Sequence, residues 1–297
     1  MHKILVSCLT MALLFGINTL SAQSIDAGRG DLPLTVPSGY KSSTPAPLVV
    51  LLHGYGSSGA GQDFYMKFSA LADRYGFLFI APDGQQETEG RQSRFWNASD
   101  ACCNFQGSPV NDVDYVMSII NEIKSEYSID YNRVYLIGHS NGGFMSYRTA
   151  YENSSEIAAI ASLAGAGATV AGPAPANPVH ILQIHGTDDS TIAYGGADIQ
   201  GNGYPGAIET VERWAAYNGC ALEGSEVAQL DLDGQLPGYD SLVVRYDNGC
   251  KVGGSSELWT ITDGSHVPAI SDSFSINVVE WLMAHPKVNP SSANAAD

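Results

Sequence analysis

Short stretches of this chain are apolar with little polar alternation. Pro47 to Leu52 (P-L-V-V-L-L), Phe77 to Ala81 (F-L-F-I-A) and Ile157 to Leu163 (I-A-A-I-A-S-L) are the clearest. A run apolar at both odd and even positions fits a strand covered on both faces. Val134 to Ile137 and Pro178 to Ile184 read the same way, and Glu257 to Thr262 reads as the last strand. Between them the period changes to that of a helix. Phe64, Phe68, Leu71, Ala72 and Tyr75 put one apolar face on Asp63 to Tyr75. Asn111 or Asp112 caps a second helix that runs to Tyr127. Further helices are expected at Phe144 to Tyr151, Ala207 to Asn218 and Ser273 to Ala284. Gln23 to Lys41 suggests two short edge strands, and Val227 to Tyr246 a hairpin broken at Asp233-Gly234. Strands alternating with helices imply βαβ units, hence an α/β fold with a mostly parallel central sheet flanked by helices. No repeat, linker or separate lid domain is evident, so residues 23–297 read as one domain with a frayed tail from about 288.

The chemistry concentrates in Val134 to Gly143, V-Y-L-I-G-H-S-N-G-G. A buried strand runs into Gly138-His139-Ser140-Asn141-Gly142, a G-x-S-x-G pentapeptide, and a helix follows. That is the nucleophile elbow of an α/β-hydrolase, in which a sharp turn lifts the serine hydroxyl clear of the sheet. A serine needs a base, and the base needs a carboxylate to hold its tautomer. In this fold the order is serine, acid, histidine, each on a loop after a strand. His266, in D-G-S-H-V-P just after the last strand, meets that requirement. His180 lies within a strand, His285 at the end of the last helix, and His185 upstream of the acid. Asp188 and Asp189, after the strand ending at Ile184, are both candidates for the acid. The oxyanion donors are expected from the N–H of Asn141 and, in the loop His53-Gly54-Tyr55-Gly56, the N–H of Tyr55.

Composition narrows the partners. With 14 Lys+Arg against 31 Asp+Glu the net charge is −17, which repels nucleic acid and anionic lipid. Residues 1–22 resemble a secretory signal: Lys3, an apolar Ile4 to Ile17, then Ser21-Ala22. The apolar run is too short for a membrane span, so an exported protein without membrane insertion is expected. Export permits disulfides. Cys8 leaves with the signal. Cys220 and Cys250 flank a Gly-rich insertion and are expected to pair; the adjacent Cys102 and Cys103 form either a vicinal bridge or a buried thiol. They lie in a long loop, Gln85 to Val110, whose aromatic content argues for order. No Cys/His spacing suits a metal, and Asp231-Leu232-Asp233-Gly234 is only a fragment of a calcium loop.

The segments H-G-Y-G-S-S-G, W-N-A-S-D-A-C-C-N-F, V-N-D-V-D-Y-V, G-H-S-N-G-G-F-M-S-Y, H-G-T-D-D-S-T-I-A-Y-G-G and G-S-H-V-P together resemble the secreted polyhydroxybutyrate depolymerase/feruloyl esterase group of α/β-hydrolases, over nearly all of residues 45–286. The resemblance implies Ser140 as nucleophile, His266 as base and, through the group's H-G-T-x-D pattern, Asp189 as acid. It also matches the late cysteine pair, Cys220 and Cys250. It implies a secreted serine carboxylesterase, without cofactor or metal, acting on feruloyl- or acetyl-decorated polysaccharide, hydroxyalkanoate oligomers or aromatic polyesters. A monomer is expected. Two departures bear on the cleft. Val267 stands where many relatives carry Ser-Trp after the base, and Ala193 where many carry Pro. Tyr55, Trp96 and Tyr194 either line an aromatic cleft with Val267 or pack in the core. Two rival readings are a prolyl-oligopeptidase-like peptidase, which shares the elbow, and a binding protein that kept the fold without catalysis.

Overall fold

The computed structural model describes residues 23–288. The expected signal segment and all but the first residue of the expected tail lie outside the described residues. The first half contributes β1 (Gln23–Asp26), β2 (Asp31–Thr35), β3 (Ala46–Leu52), β4 (Leu78–Ile80), a small ladder β5 (Gln85–Gln86) with β6 (Arg94–Phe95), and β7 (Ile129–His139). The second half contributes β8 (Ala159–Leu163), β9 (His180–Gly186), a hairpin β10 (Gly196–Ile199) with β11 (Asn202–Pro205), and β12 (Ser225–Leu230), β13 (Ser241–Tyr246) and β14 (Ser255–Ile261). The helices are α1 (Gly59–Met66), α2 (Ala72–Tyr75), α3 (Asp112–Glu126), α4 (Asn141–Glu152), α5 (Ala207–Asn218) and α6 (Phe274–Ala284).

Ten strands form one sheet in the order β1-β2-β4-β3-β7-β8-β9-β14-β13-β12. The six central strands, β4 to β14 in that order, run parallel. The flanking pairs β1-β2 and β13-β12 are antiparallel additions. The unbroken apolar runs have the expected cause. Leu48, Val50 and Leu52 of β3 enter the core under α3 and α4, whereas Val49 and Leu51 enter the core under α6. Successive side chains point to opposite faces, and both faces are covered.

Two sequence expectations change, and one element is new. The periodic stretch from Asp63 to Tyr75 is broken: α1 starts earlier, with Ser58 as cap, and ends at Lys67 in the left-handed region (φ 57°). The carboxylate of Asp63 takes Ser69 N and Ser69 Oγ, which holds the break open before α2. The elbow helix begins at Asn141, directly after the serine, rather than at Phe144. The hairpin β10-β11 carries too little apolar pattern to be read from the sequence. Of the two proposed caps of α3, Asn111 is the cap, accepting from Asp114 N. Asp112 is instead fully buried against Arg29 at 2.6 Å.

Cys102 is bonded to Cys103, the vicinal alternative, and Cys220 to Cys250. The second bridge ties the end of α5 to the turn before β14 across a separation of 30 residues. Closing a loop of that length in the unfolded chain is worth about 3–4 kcal/mol. Replacing both Cys220 and Cys250 with Ser is therefore expected to lower the unfolding free energy by about that amount. Urea titration of the two proteins checks it; an unchanged midpoint contradicts it.

Candidate active site

Ser140 sits where β7 becomes α4, with φ 52° and ψ −120°. This is a conformation L-residues rarely adopt, costing about 1–3 kcal/mol unless the surroundings impose it. They do. A Cβ on Gly138 would lie 2.1 Å from Gly142 O, and one on Gly142 would lie 2.1 Å from Leu52 O. Only glycine at both positions lets helix and strand approach this closely. Ser140 N donates to Leu163 O on the neighbouring strand at 2.8 Å, which anchors the turn.

Asp189 and His266 arrive from the loops after β9 and β14, which are adjacent in the sheet. His266 Nδ1 donates to Asp189 Oδ2 at 2.7 Å. Asp189 Oδ1 accepts from Thr191 N and Ile192 N, both at 2.8 Å. Asp188 is exposed, and its backbone N–H bonds Gly264 O. Burial alone would raise the Asp189 pKa. Hydrogen bonds from His185 and His266 outweigh that and hold the carboxyl well below its usual range. The histidine loop is pinned to the elbow. His139 Nε2 donates to His266 O at 3.0 Å, and the two rings stand 5.1 Å apart. No hydrogen bond joins the Ser140 hydroxyl to the His266 ring. Such contacts commonly tighten only with substrate bound.

The loop after β3 passes directly beside the serine, since a Cβ on Gly54 would lie 3.5 Å from Ser140 Cβ. The backbone N–H groups of Tyr55 and Asn141 donate to no described residue. Trp96 ties the two together. Its backbone is held from both sides by the Asn141 amide, Trp96 N to Asn141 Oδ1 at 2.7 Å and Asn141 Nδ2 to Trp96 O at 3.0 Å. Its indole N–H reaches His53 O at 3.0 Å. Trp96 is therefore core packing (0 % exposed), not a cleft wall. Tyr55 is exposed, with its hydroxyl on Glu87 Oε1 at 2.6 Å. Val267 is exposed beside the base. Tyr194 is half-buried, bonded to Thr260 Oγ1 at 2.7 Å. A cleft of about 430 Å³ runs along α4, bounded by Phe144, Tyr151, Trp214 and Tyr217. The sequence reading missed this cleft because its walls come from α4, α5 and the loop near Gly167. It also missed His139 and His185. The one visible signal was a histidine beside the serine and another in the acid's own motif.

The chain matches the model of the phospholipase/carboxylesterase family over residues 39–202. It belongs to that family. Feruloyl esterase B of Piromyces equi is 30% identical over 239 residues, covering 77% of this chain and 41% of that protein. Poly(3-hydroxyalkanoate) depolymerase C of Paucimonas lemoignei is 25% identical, covering 78% of this chain and 56% of that protein. A bifunctional acetylxylan esterase/xylanase of Neocallimastix patriciarum is 33% identical over 57% of this chain, which spans 22% of that protein. The chain thus spans between about a fifth and just over half the length of these curated relatives. The solved acetyl xylan esterase of Aspergillus awamori superposes with a TM-score of 0.61 at 16% identity, covering 88% of this chain and 98% of that chain, which shows the α/β-hydrolase fold. The motif resemblance to the depolymerase/feruloyl esterase group agrees with these relatives.

Four histidines are held below their ordinary pKa chiefly by burial: His53, His285, His139 at about 4 and His180 at about 3. The unfolded chain takes up those protons first, near its ordinary value of about 6.5. Stability is therefore full above about pH 6.5 and falls as the pH drops from there toward about 4. At full effect His139 contributes at most about 3 kcal/mol to that fall and His180 at most about 5 kcal/mol. Urea midpoints measured from neutral pH downward check it; a flat profile across this window contradicts it.

Proposed function

We propose that this chain is an exported serine carboxylesterase whose single catalytic domain uses Ser140, His266 and Asp189. The observation that carries the reading is the 2.7 Å Asp189–His266 contact beside a serine held at positive φ on a strand-to-helix turn. In this mechanism His266 takes the Ser140 proton as the hydroxyl attacks an ester carbonyl. Asp189 keeps the proton on Nδ1, so Nε2 is free to act as base. The unpartnered N–H groups of Tyr55 and Asn141 receive the developing oxyanion, each worth about 10²–10³ in rate. The alcohol leaves with the proton returned by His266. Water activated by the same ring then releases the acid and regenerates Ser140.

The substrates we propose are esters of aromatic or acetyl groups on polysaccharide, or hydroxyalkanoate oligomers. The printed activities of the relatives support this choice. The two disulfides support export.

Purified protein assayed on p-nitrophenyl esters, methyl ferulate, acetylated xylan, hydroxybutyrate oligomers and a peptide amide panel tests the reading. Ester turnover is expected and peptide turnover is not. Ser140→Ala is expected to lower kcat by at least about 10³-fold, and Asp189→Asn by about 10³–10⁴-fold, with the fold retained. Full ester activity in Ser140→Ala would remove the assignment.

A further inference from the structure

His185 lies in the acid's own motif yet has no part in the mechanism above. It shares one face of β9 with Gln183, two residues earlier. Both side chains are buried, as is Tyr147 of α4. Tyr147 OH donates to Gln183 Oε1 at 2.8 Å. Gln183 Nε2 reaches Gly165 O at 2.8 Å and His185 Nδ1 at 3.0 Å. His185 Nε2 reaches Ile192 O at 2.8 Å and Asp189 Oδ2 at 3.2 Å. Asp189 Oδ2 is the same oxygen that accepts from His266.

The carbonyls at the two ends fix where every proton sits. Gly165 O can only accept, so the amide atom facing it is the nitrogen of Gln183. Ile192 O can only accept, so His185 carries its hydrogen on Nε2. The lone pair on His185 Nδ1 then receives the second Gln183 hydrogen. Both constraints independently require the same tautomer. Donation runs one way, from Tyr147 through Gln183 to His185, whose Nε2–H goes to Ile192 O and passes 3.2 Å from Asp189 Oδ2. Asp189 ends with two backbone N–H groups on Oδ1 and, on Oδ2, the His266 Nδ1–H with the shared His185 Nε2–H beside it at 3.2 Å. Partners on both oxygens hold its side chain against rotation.

A buried histidine that merely satisfied its neighbours would not need to reach the oxygen that holds the catalytic base. We propose that His185 is a positioning residue: as a second imidazole on Asp189 Oδ2, it locks the acid's rotation and tempers its charge, and so sets the basicity of His266. The proposal rests on the Ser140–His266–Asp189 reading. A donor to a carboxylate stabilises and spreads its charge. Without His185, Asp189 would present a harder charge to the His266 ring and hold the imidazolium more tightly. The base would then lose its proton only at higher pH. The other titratable groups facing this cluster are His139, whose ring stands 5.1 Å from that of His266, Tyr194, whose ring stands 5.7 Å from that of His185, and Tyr204, whose hydroxyl accepts from Ala193 N.

The test compares His185→Phe, which keeps volume without a donor, with His185→Gln, which keeps an N–H near the Nε2 position. The pH profile of kcat/KM for p-nitrophenyl acetate is measured for each, with thermal melting as a check of folding. In His185→Phe the acid limb is expected to move up by about 0.5–1 pH unit, with kcat down about tenfold and KM within about twofold. In His185→Gln the limb is expected to stay near that of the unaltered protein. A folded His185→Phe with an unmoved limb overturns the proposal, as does a Gln variant that shifts as far as Phe. If neither variant folds, ¹⁵N-histidine NMR of the unaltered protein decides. A non-titrating Nε2–H form of His185, alongside a titrating His266, supports the proposal; an Nδ1–H form overturns it. Residual activity of Ser140→Ala reports separately on the triad, so the two failures are distinguishable.

Discussion

Everything at the candidate site depends on the turn at Ser140. The serine occupies a backbone region that is unfavourable in isolation, and it is held there by contact on all sides. Gly138 and Gly142 meet backbone so closely that a single added carbon would collide, and Ser140 N is bonded to the next strand. The turn lies at the middle of a six-strand parallel core, between β3 and β8. Rigid neighbours on both sides are what make the strain sustainable. They also bring the loops after β3, β9 and β14 to the same rim, because parallel strands end together.

Around that turn the polar groups are ordered by carbonyl oxygens. His53 donates from Nδ1 to Gly54 O and accepts Gly84 N on Nε2. His139 donates to His266 O, and His185 to Ile192 O. Each ring therefore has a defined tautomer before any substrate arrives. Backbone atoms do the ordering, and backbone moves less than side chains. The Asn141 amide closes the arrangement, because it clasps Trp96 while its own N–H stays free.

The sequence made the sheet legible because strands such as β3 are apolar on both parities, a pattern that survives without tertiary information. Ser140 and His266 were legible because the elbow needs glycine at fixed spacing and the base must follow the last strand. The choice between Asp188 and Asp189 was not fixed by the residues themselves. Both follow the strand, and only the folded loop turns one inward and leaves the other in water. The sequence left Trp96 open between cleft wall and core packing, because its partners, His53 and Asn141, are more than 40 residues away in sequence. The break between α1 and α2 escaped because the apolar period continues across it, while the deciding contact is the Asp63 carboxylate on Ser69.

The exposure of Tyr55 and Val267 beside the serine and the base has its own consequence. The rim stands open to bulk solvent. In the proposed cycle, an acyl group resting on Ser140 would meet water far more often than a second alcohol. On that proposal the site would favour hydrolysis over exchange of one ester for another.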